Sequence, residues 1–184
     1  MSILPIVTYN DPILRQKTEP VAGLTDEIKE LISNMFETMY NSDGVGLAAP
    51  QIGVSKSIFV MDADAMIDEG DPALGPLAFL NPEIIEKKGE DVSMDEGCLS
   101  IPQVTDKVTR PDTIVIKYLD QNFNERQEEF SGWVSRVIQH EYDHLQGVLF
   151  IDYLSAFRKR MLKSDLKEID SGERETSYPV KPKE

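Results

Sequence analysis

The sequence predicts an α+β fold, with a mainly antiparallel sheet around a central helix that carries both histidines of the chain. Three observations point there. Strand-like runs come first and helices later, without the regular β-α-β alternation that builds parallel sheets. Residues 25–40 have the apolar periodicity of a helix that rests one face on a core. Residues 131–145 read as a second long helix, and residues 154–169 as a third near the C-terminus.

The elements follow in order. Between 25 and 40, Ile28, Leu31, Ile32, Met35, Phe36 and Met39 fall at helical spacing. Thr25 can cap the helix, and Asp26 and Glu27 suit its positive N-terminal end. Asn41-Ser42-Asp43-Gly44 stops it. A Gly-rich stretch to Gly53 comes next, then strand-like runs at 57–61, 77–81 and 113–119, the last rich in β-branched residues. The acidic, Gly/Pro-containing segment 62–76 reads as a solvated connection. Ser131 is the expected N-cap of the second helix, and Gly147 stands where a helix-ending glycine belongs. Phe157, Met161, Leu162, Leu166 and Ile169 are expected on one side of the last helix. Residues 1–170 therefore read as a single catalytic domain, and 171–184, polar and with two prolines, as a disordered tail.

Composition narrows the function classes. With 184 residues, 40% hydrophobic and 28% charged, the chain has neither a disordered nor a membrane composition. No apolar run approaches the roughly 18–20 residues of a membrane span. The N-terminus has no basic flank and meets Pro5 at once, so no signal or transit peptide is expected and the reading is cytoplasmic. A net charge of −14 argues against a general nucleic-acid binder, DNA included. One cysteine cannot form an intramolecular disulfide, so Cys98 is either a small buried residue or a functional thiolate.

His140-Glu141-Tyr142-Asp143-His144 carries the chemistry. Histidines four apart lie one turn apart on one helix face, so both imidazoles can reach one ion. Glu141 sits about 100° round the helix, which suits a base acting on water better than a third ligand. An open catalytic site needs a third protein ligand. Asp152, Asp165, Glu168 and Asp170 are available downstream, but Cys98 is preferred, because glycine before it permits close approach and a thiolate binds borderline metals strongly. A peptidase on the same helix would use a carboxylate or histidine instead. A closed structural site would need a fourth ligand, and no further Cys or His exists to supply it. Trp133 and Val137 share the stripe of His140 and His144 and read equally well as pocket wall or as ordinary core. Gln51 could offer its amide N–H to a developing oxyanion; the glycines around it could equally be turn residues.

Three segments together resemble the peptide deformylases: Gly44-Val45-Gly46-Leu47-Ala48-Ala49-Pro50-Gln51, Glu96-Gly97-Cys98-Leu99-Ser100, and Gln139-His140-Glu141-Tyr142-Asp143-His144-Leu145. Asp11-Pro12-Ile13-Leu14-Arg15 and Arg110-Pro111 extend the likeness over roughly residues 5–155. Gln103 departs from it, since glycine is expected there. The resemblance implies a cytoplasmic, monomeric hydrolase of N-terminal processing that removes formyl from the formyl-methionine of new polypeptides. It implies one divalent ion, Fe²⁺ first and Zn²⁺ or another as alternatives, on Cys98, His140 and His144, with Glu141 as acid/base. It also implies an oxyanion hole from Gln51 and the Leu99 N–H, with Gly46 beside the substrate backbone and Val45, Trp133 and Val137 lining the methionine pocket. Some deformylases are thought to dock on ribosomes through the C-terminal helix. Arg158, Lys159, Arg160, Lys163 and Lys167 would here meet ribosomal RNA, unless they are simply a solvated face.

Overall fold

The computed structural model describes residues 1–181. In chain order the elements are β1 (Ile6–Val7), α1 (Asp26–Asn41), β2 (Gly46–Ala48), β3 (Ile58–Met61), β4 (Leu77–Cys98), β5 (Ile101–Leu119), β6 (Glu125–Phe130), α2 (Gly132–Leu145), α3 (Ala156–Met161), α4 (Lys163–Asp170) and β7 (Val180–Lys181). Strands β2 to β6 form one sheet in sequence order, every neighbouring pair antiparallel, and β1 pairs in parallel with β7. This is the expected α+β fold.

The sheet is buried on both faces where it matters. Side chains alternate along a strand, and β3 sends Phe59 and Met61 to one side and Ile58 and Val60 to the other, all four fully buried. Ile32, Met35 and Met39 of α1 pack on the Ile58/Val60 side with Leu47 and Leu80. Val134, Val137, Ile138 and Leu145 of α2 pack on the opposite side with Phe79, Ile114 and Ile116. Phe79 anchors that side, with its ring 4.5 Å from Phe59 and 4.2 Å from Tyr118. Thr25 caps α1 by accepting from the Ile28 N–H at 3.3 Å. Gly147 takes φ +76° just past α2, and a Cβ there would sit 2.6 Å from the Arg15 carbonyl.

Several expectations change. The runs at 77–81 and 113–119 are only the apolar ends of a long hairpin, β4 and β5 of 22 and 19 residues. Its outer arm is polar and largely exposed, with register shifts at Leu80/Glu83, Ile84/Glu86 and Lys88/Asp91. β6 is almost wholly exposed and exists through its pairing with β5. The segment 62–76 folds on itself, because the Asp64 carboxylate accepts from the Leu74 and Gly75 N–H groups at 2.8 and 2.9 Å.

The C-terminal helix expected at 154–169 is two helices broken at Leu162. Phe157 and Met161 are exposed, while Leu162 and Ile169 are buried with Leu166 beside them. The tail also differs from the expectation. Residues 171–181 lie on the body of the fold, with Tyr178 packed against the α1 core and Val180 paired with Ile6. Residues 182–184 lie outside the described part. No helix among the described residues is long and apolar enough to cross a membrane.

Candidate metal centre

The centre forms where α2 passes the turn joining β4 to β5. Cys98 ends β4 and pairs with Ile101 across Leu99-Ser100, so its thiol projects from a tight turn. One helical turn separates His140 from His144, and their rings stand 5.1 Å apart, nearly perpendicular. Ligand atoms of Cys98, His140 and His144 all lie within 4.8 Å of one another. Among the described residues this is the group of three or more potential ligands that could share one ion.

The geometry fits a metal. Cys98 Sγ and His144 Nε2 are 3.4 Å apart. Two such ligand atoms on one tetrahedral ion would be separated by about 3.5 Å, given Zn–S near 2.3 Å and Zn–N near 2.05 Å. Burial, with the charges of His140 and Arg110, holds the His144 imidazole well below its ordinary pKa, in the neutral form that ligates. His140 is oriented from behind, its Nδ1 2.9 Å from Glu96 Oε1, which turns Nε2 toward Cys98 and His144.

Behind His140 lies a buried charge network. Arg110 donates to both Glu96 oxygens, at 2.6 and 3.0 Å, and to Asp143 at 2.8 Å. Arg136 donates to Glu96 at 2.8 Å and to the Val92 and Val108 carbonyls. Tyr153 donates to Asp143 at 2.7 Å, and its ring lies 4.7 Å from the Arg110 guanidinium. Burial by itself would raise the Glu96 pKa. The hydrogen bonds from His140 and Arg110 and the Arg110 charge outweigh it and keep this carboxylate ionised well below the usual range. Arg136 was not foreseen; the available signal was a cation one turn before His140 in the predicted helix.

Glu141 is a different carboxylate. It is 4% exposed, and its Oε2 has no protein partner. Burial, with Glu96 and Asp143 nearby, pushes its pKa up to about 7 despite the opposing charge of His140. Gly46 is what lets β2 approach it. A Cβ at Gly46 would stand 2.5 Å from Glu141 Oε1 and 2.8 Å from Cγ. Gly46→Ala is therefore expected to displace the Glu141 carboxylate and lower turnover by at least about tenfold, since small misplacements of reacting groups are this costly. Steady-state kinetics on the folded, metal-loaded variant checks it.

Gln51 is 1% exposed in a 3₁₀ turn after β2. Its Oε1 accepts from the Ala48 N–H at 2.9 Å, which fixes the amide orientation. Nε2 then faces the centre, 3.5 Å from Cys98 Sγ and 3.3 Å from Ser100 Oγ. A cleft of about 390 Å³ opens beside these groups and includes Val45, Gly46, Leu99, Trp133 and Val137 in its lining. Val137 is both wall and core, while Trp133 is 38% exposed at the rim. The structure thus brings every sequence-nominated site residue to one place. Asp152, the nearest alternative ligand, is turned away to Arg15 at 2.7 Å.

Comparison with known proteins agrees. Residues 3–160 match the polypeptide deformylase family profile. A peptide deformylase of Salinibacter ruber is 49% identical, covering 99% of this chain and 96% of its own. One from Flavobacterium psychrophilum is 44% identical, covering 97% and 96%. The crystal structure of the Ehrlichia chaffeensis peptide deformylase in complex with actinonin superposes with a TM-score of 0.85 at 40% identity, over 95% of this chain and 100% of that one. The family match over most of the chain, the high identity and the shared fold leave one reading: the chain belongs to the peptide deformylase family.

Proposed function

We propose that this metal-dependent hydrolase of N-formylated nascent chains holds its ion on Cys98, His140 and His144 and handles protons with Glu141. The observation that carries this reading is the closely spaced Cys/His/His set, with the raised, buried carboxylate of Glu141 beside it. When bound, a divalent ion supplies the Lewis acidity that makes water a nucleophile near neutral pH. Fe²⁺ is the ion we assign, as the likeness to the peptide deformylases implies; a thiolate with two imidazoles suits Zn²⁺ or another divalent ion as well.

The chain's own groups do the rest. Water oxygen bonds to the formyl carbon while the Glu141 carboxylate accepts the proton released. Gln51 Nε2 and the Leu99 N–H donate to the oxygen that becomes negative. Glu141 then passes the proton to the methionine nitrogen as the C–N bond breaks, giving formate and a free N-terminus. Gly46 borders the substrate backbone, and Val45, Val137 and Trp133 receive the methionine side chain. Glu96, with Arg110 and Arg136 behind it, keeps His140 in ligating orientation.

We assign the reaction to a cytoplasmic monomer acting on new chains. In α3 and α4, Lys159, Arg160, Lys163 and Lys167 line a groove of about 560 Å³, whereas Arg158 is engaged with Asp106. We infer that this groove contacts ribosomal RNA. Salt-sensitive co-sedimentation with ribosomes, lost when these four residues become Glu, supports it; undiminished binding opposes it.

Formate release from formyl-Met-Ala-Ser by anaerobically purified, metal-replete protein tests the function. Formate without free methionine is expected. Absence of formate, or release of methionine from unformylated Met-Ala-Ser, would oppose the reading.

A further inference from the structure

The segment after α4 is tied to the loop that carries the thiol. Three hydrogen bonds join them. Tyr178 Oη donates to the Leu99 carbonyl at 2.8 Å, Gln103 Nε2 donates to the Glu175 carbonyl at 2.9 Å, and Arg174 Nη1 donates to the Pro102 carbonyl at 3.4 Å. Arg174 is itself held by Asp165 and Glu168 of α4, at 2.6 and 2.9 Å. At its far end the segment is fixed by β7, since the Ile6 N–H donates to the Pro179 carbonyl at 2.9 Å and Val180 pairs with Ile6. A stretch anchored at both ends therefore spans the outside of residues 99–103.

Gln103 shows why the loop needs support. It adopts φ +61°, the left-handed region that glycine enters freely and other residues enter at a cost. This chain has glutamine there and uses the side chain to bond the strap. Leu99 is braced in a similar way. Ser100 is held from inside by Gln51 and its carbonyl accepts from the Tyr9 N–H at 2.8 Å, while the Leu99 carbonyl is held by Tyr178. Tyr178 and Gln103 both also line the catalytic cleft.

We propose that residues 174–178 form a strap that fixes the 98–103 loop, with Tyr178 as a positioning residue that orients the Leu99 backbone through its carbonyl. The inference rests on the reading of the Leu99 N–H as an oxyanion donor. Tyr178 has no part in proton transfer; it sets where that donor stands.

Tyr178→Phe in the full chain tests it, because the ring and its packing remain and the hydroxyl is lost. Three quantities are read: kcat and KM with formyl-Met-Ala-Ser, metal content, and amide hydrogen exchange of peptides covering 98–103 and α1. Loss of one hydrogen bond is expected to speed exchange at 98–103 about fivefold, with α1 exchange and metal content unchanged. kcat is expected to fall about three- to tenfold, with KM within about twofold. Unchanged exchange at 98–103 overturns the strap. Faster exchange with unchanged kcat overturns the positioning role and leaves a purely structural contact. A raised KM at unchanged kcat also overturns it, by placing the hydroxyl on substrate, and exchange raised equally in α1 overturns it by showing global destabilisation. If the unaltered protein releases no formate, the deformylase reading fails, while the exchange measurement still judges the strap.

Discussion

Glu141→Ala is expected to lower kcat for formate release by about 10²–10⁴-fold, the usual contribution of a positioned general acid–base. The substitution removes the one carboxylate that is buried beside the ligands and carries an oxygen without a protein partner. Glu141 makes no bond that holds either histidine, so metal content is expected to stay near that of the unaltered enzyme. KM should change little, because the lost interaction belongs to the transition state. Glu141→Gln is the companion variant. It keeps the size of the side chain against Gly46 and loses only its basicity, so a similar fall in kcat attributes the effect to proton transfer. Turnover within tenfold of the unaltered enzyme in both variants would remove Glu141 from the mechanism.

The second large effect is on stability. Arg110→Met is expected to cost about 3–5 kcal/mol, because it strands charges inside the protein. Arg110 is 3% exposed and neutralises Glu96 and Asp143 together. Methionine fills similar volume without hydrogen bonds. Glu96 would keep Arg136 and His140, and Asp143 would keep Tyr153. Two carboxylates would then face one buried cation in place of two. For a chain of this size the loss corresponds to a fall in Tm of roughly 10 °C. Metal affinity should weaken as well, by about 10–100-fold, because Glu96 orients His140. A double substitution with Asp143→Asn should recover part of the stability, since Glu96 keeps Arg136 and Asp143 is the carboxylate left without a cation. Unchanged melting in Arg110→Met would mean that the network contributes nothing to the fold.

Much of this was legible in the sequence, and the misses share a physical cause. α1 announced itself because it buries one stripe, so the period of 3.6 survives in the residue pattern; α2 is buried on most of its faces and was legible through Ser131, Gly147 and the spacing of its histidines. β3 was legible as an unbroken apolar run because both its faces are covered. Residues 85–91 of β4 are exposed without alternation, the inward positions beyond them include the charged Glu96 and Arg110, and Pro82, Gly89 and Pro111 look like breakers when they lie within a hairpin. β6, Glu125–Phe130, is polar up to Phe130, and apart from that ring on the core it is held by its pairing with β5 and by surface polar contacts such as Lys88–Glu129. The C-terminal strap was invisible for a related reason. Its anchors are backbone carbonyls and a few long side chains, while its composition is that of a disordered tail.

The candidate site's convergence was more legible than the fold. Metal binding constrains residue type and spacing together, so His140, Glu141 and His144 stand out in a chain with two histidines. Cys98 could be nominated because it is the one thiol in the chain and glycine precedes it. The supporting partners were legible only in part. Arg110 stood out only as part of the family likeness, and Arg136 came from the three-dimensional path of α2 across β4 and β5. The glycine at 46 looked like a turn residue, and its tight approach to Glu141 required coordinates.

Metal-edge anomalous diffraction from crystals of the anaerobically purified protein tests the central claim most directly. One peak is expected, about 2.0–2.4 Å from Cys98 Sγ, His140 Nε2 and His144 Nε2, with no fourth protein side chain on the ion. A peak that leaves Cys98 unbound, or one bound by a carboxylate such as Asp152 in its place, would contradict the account.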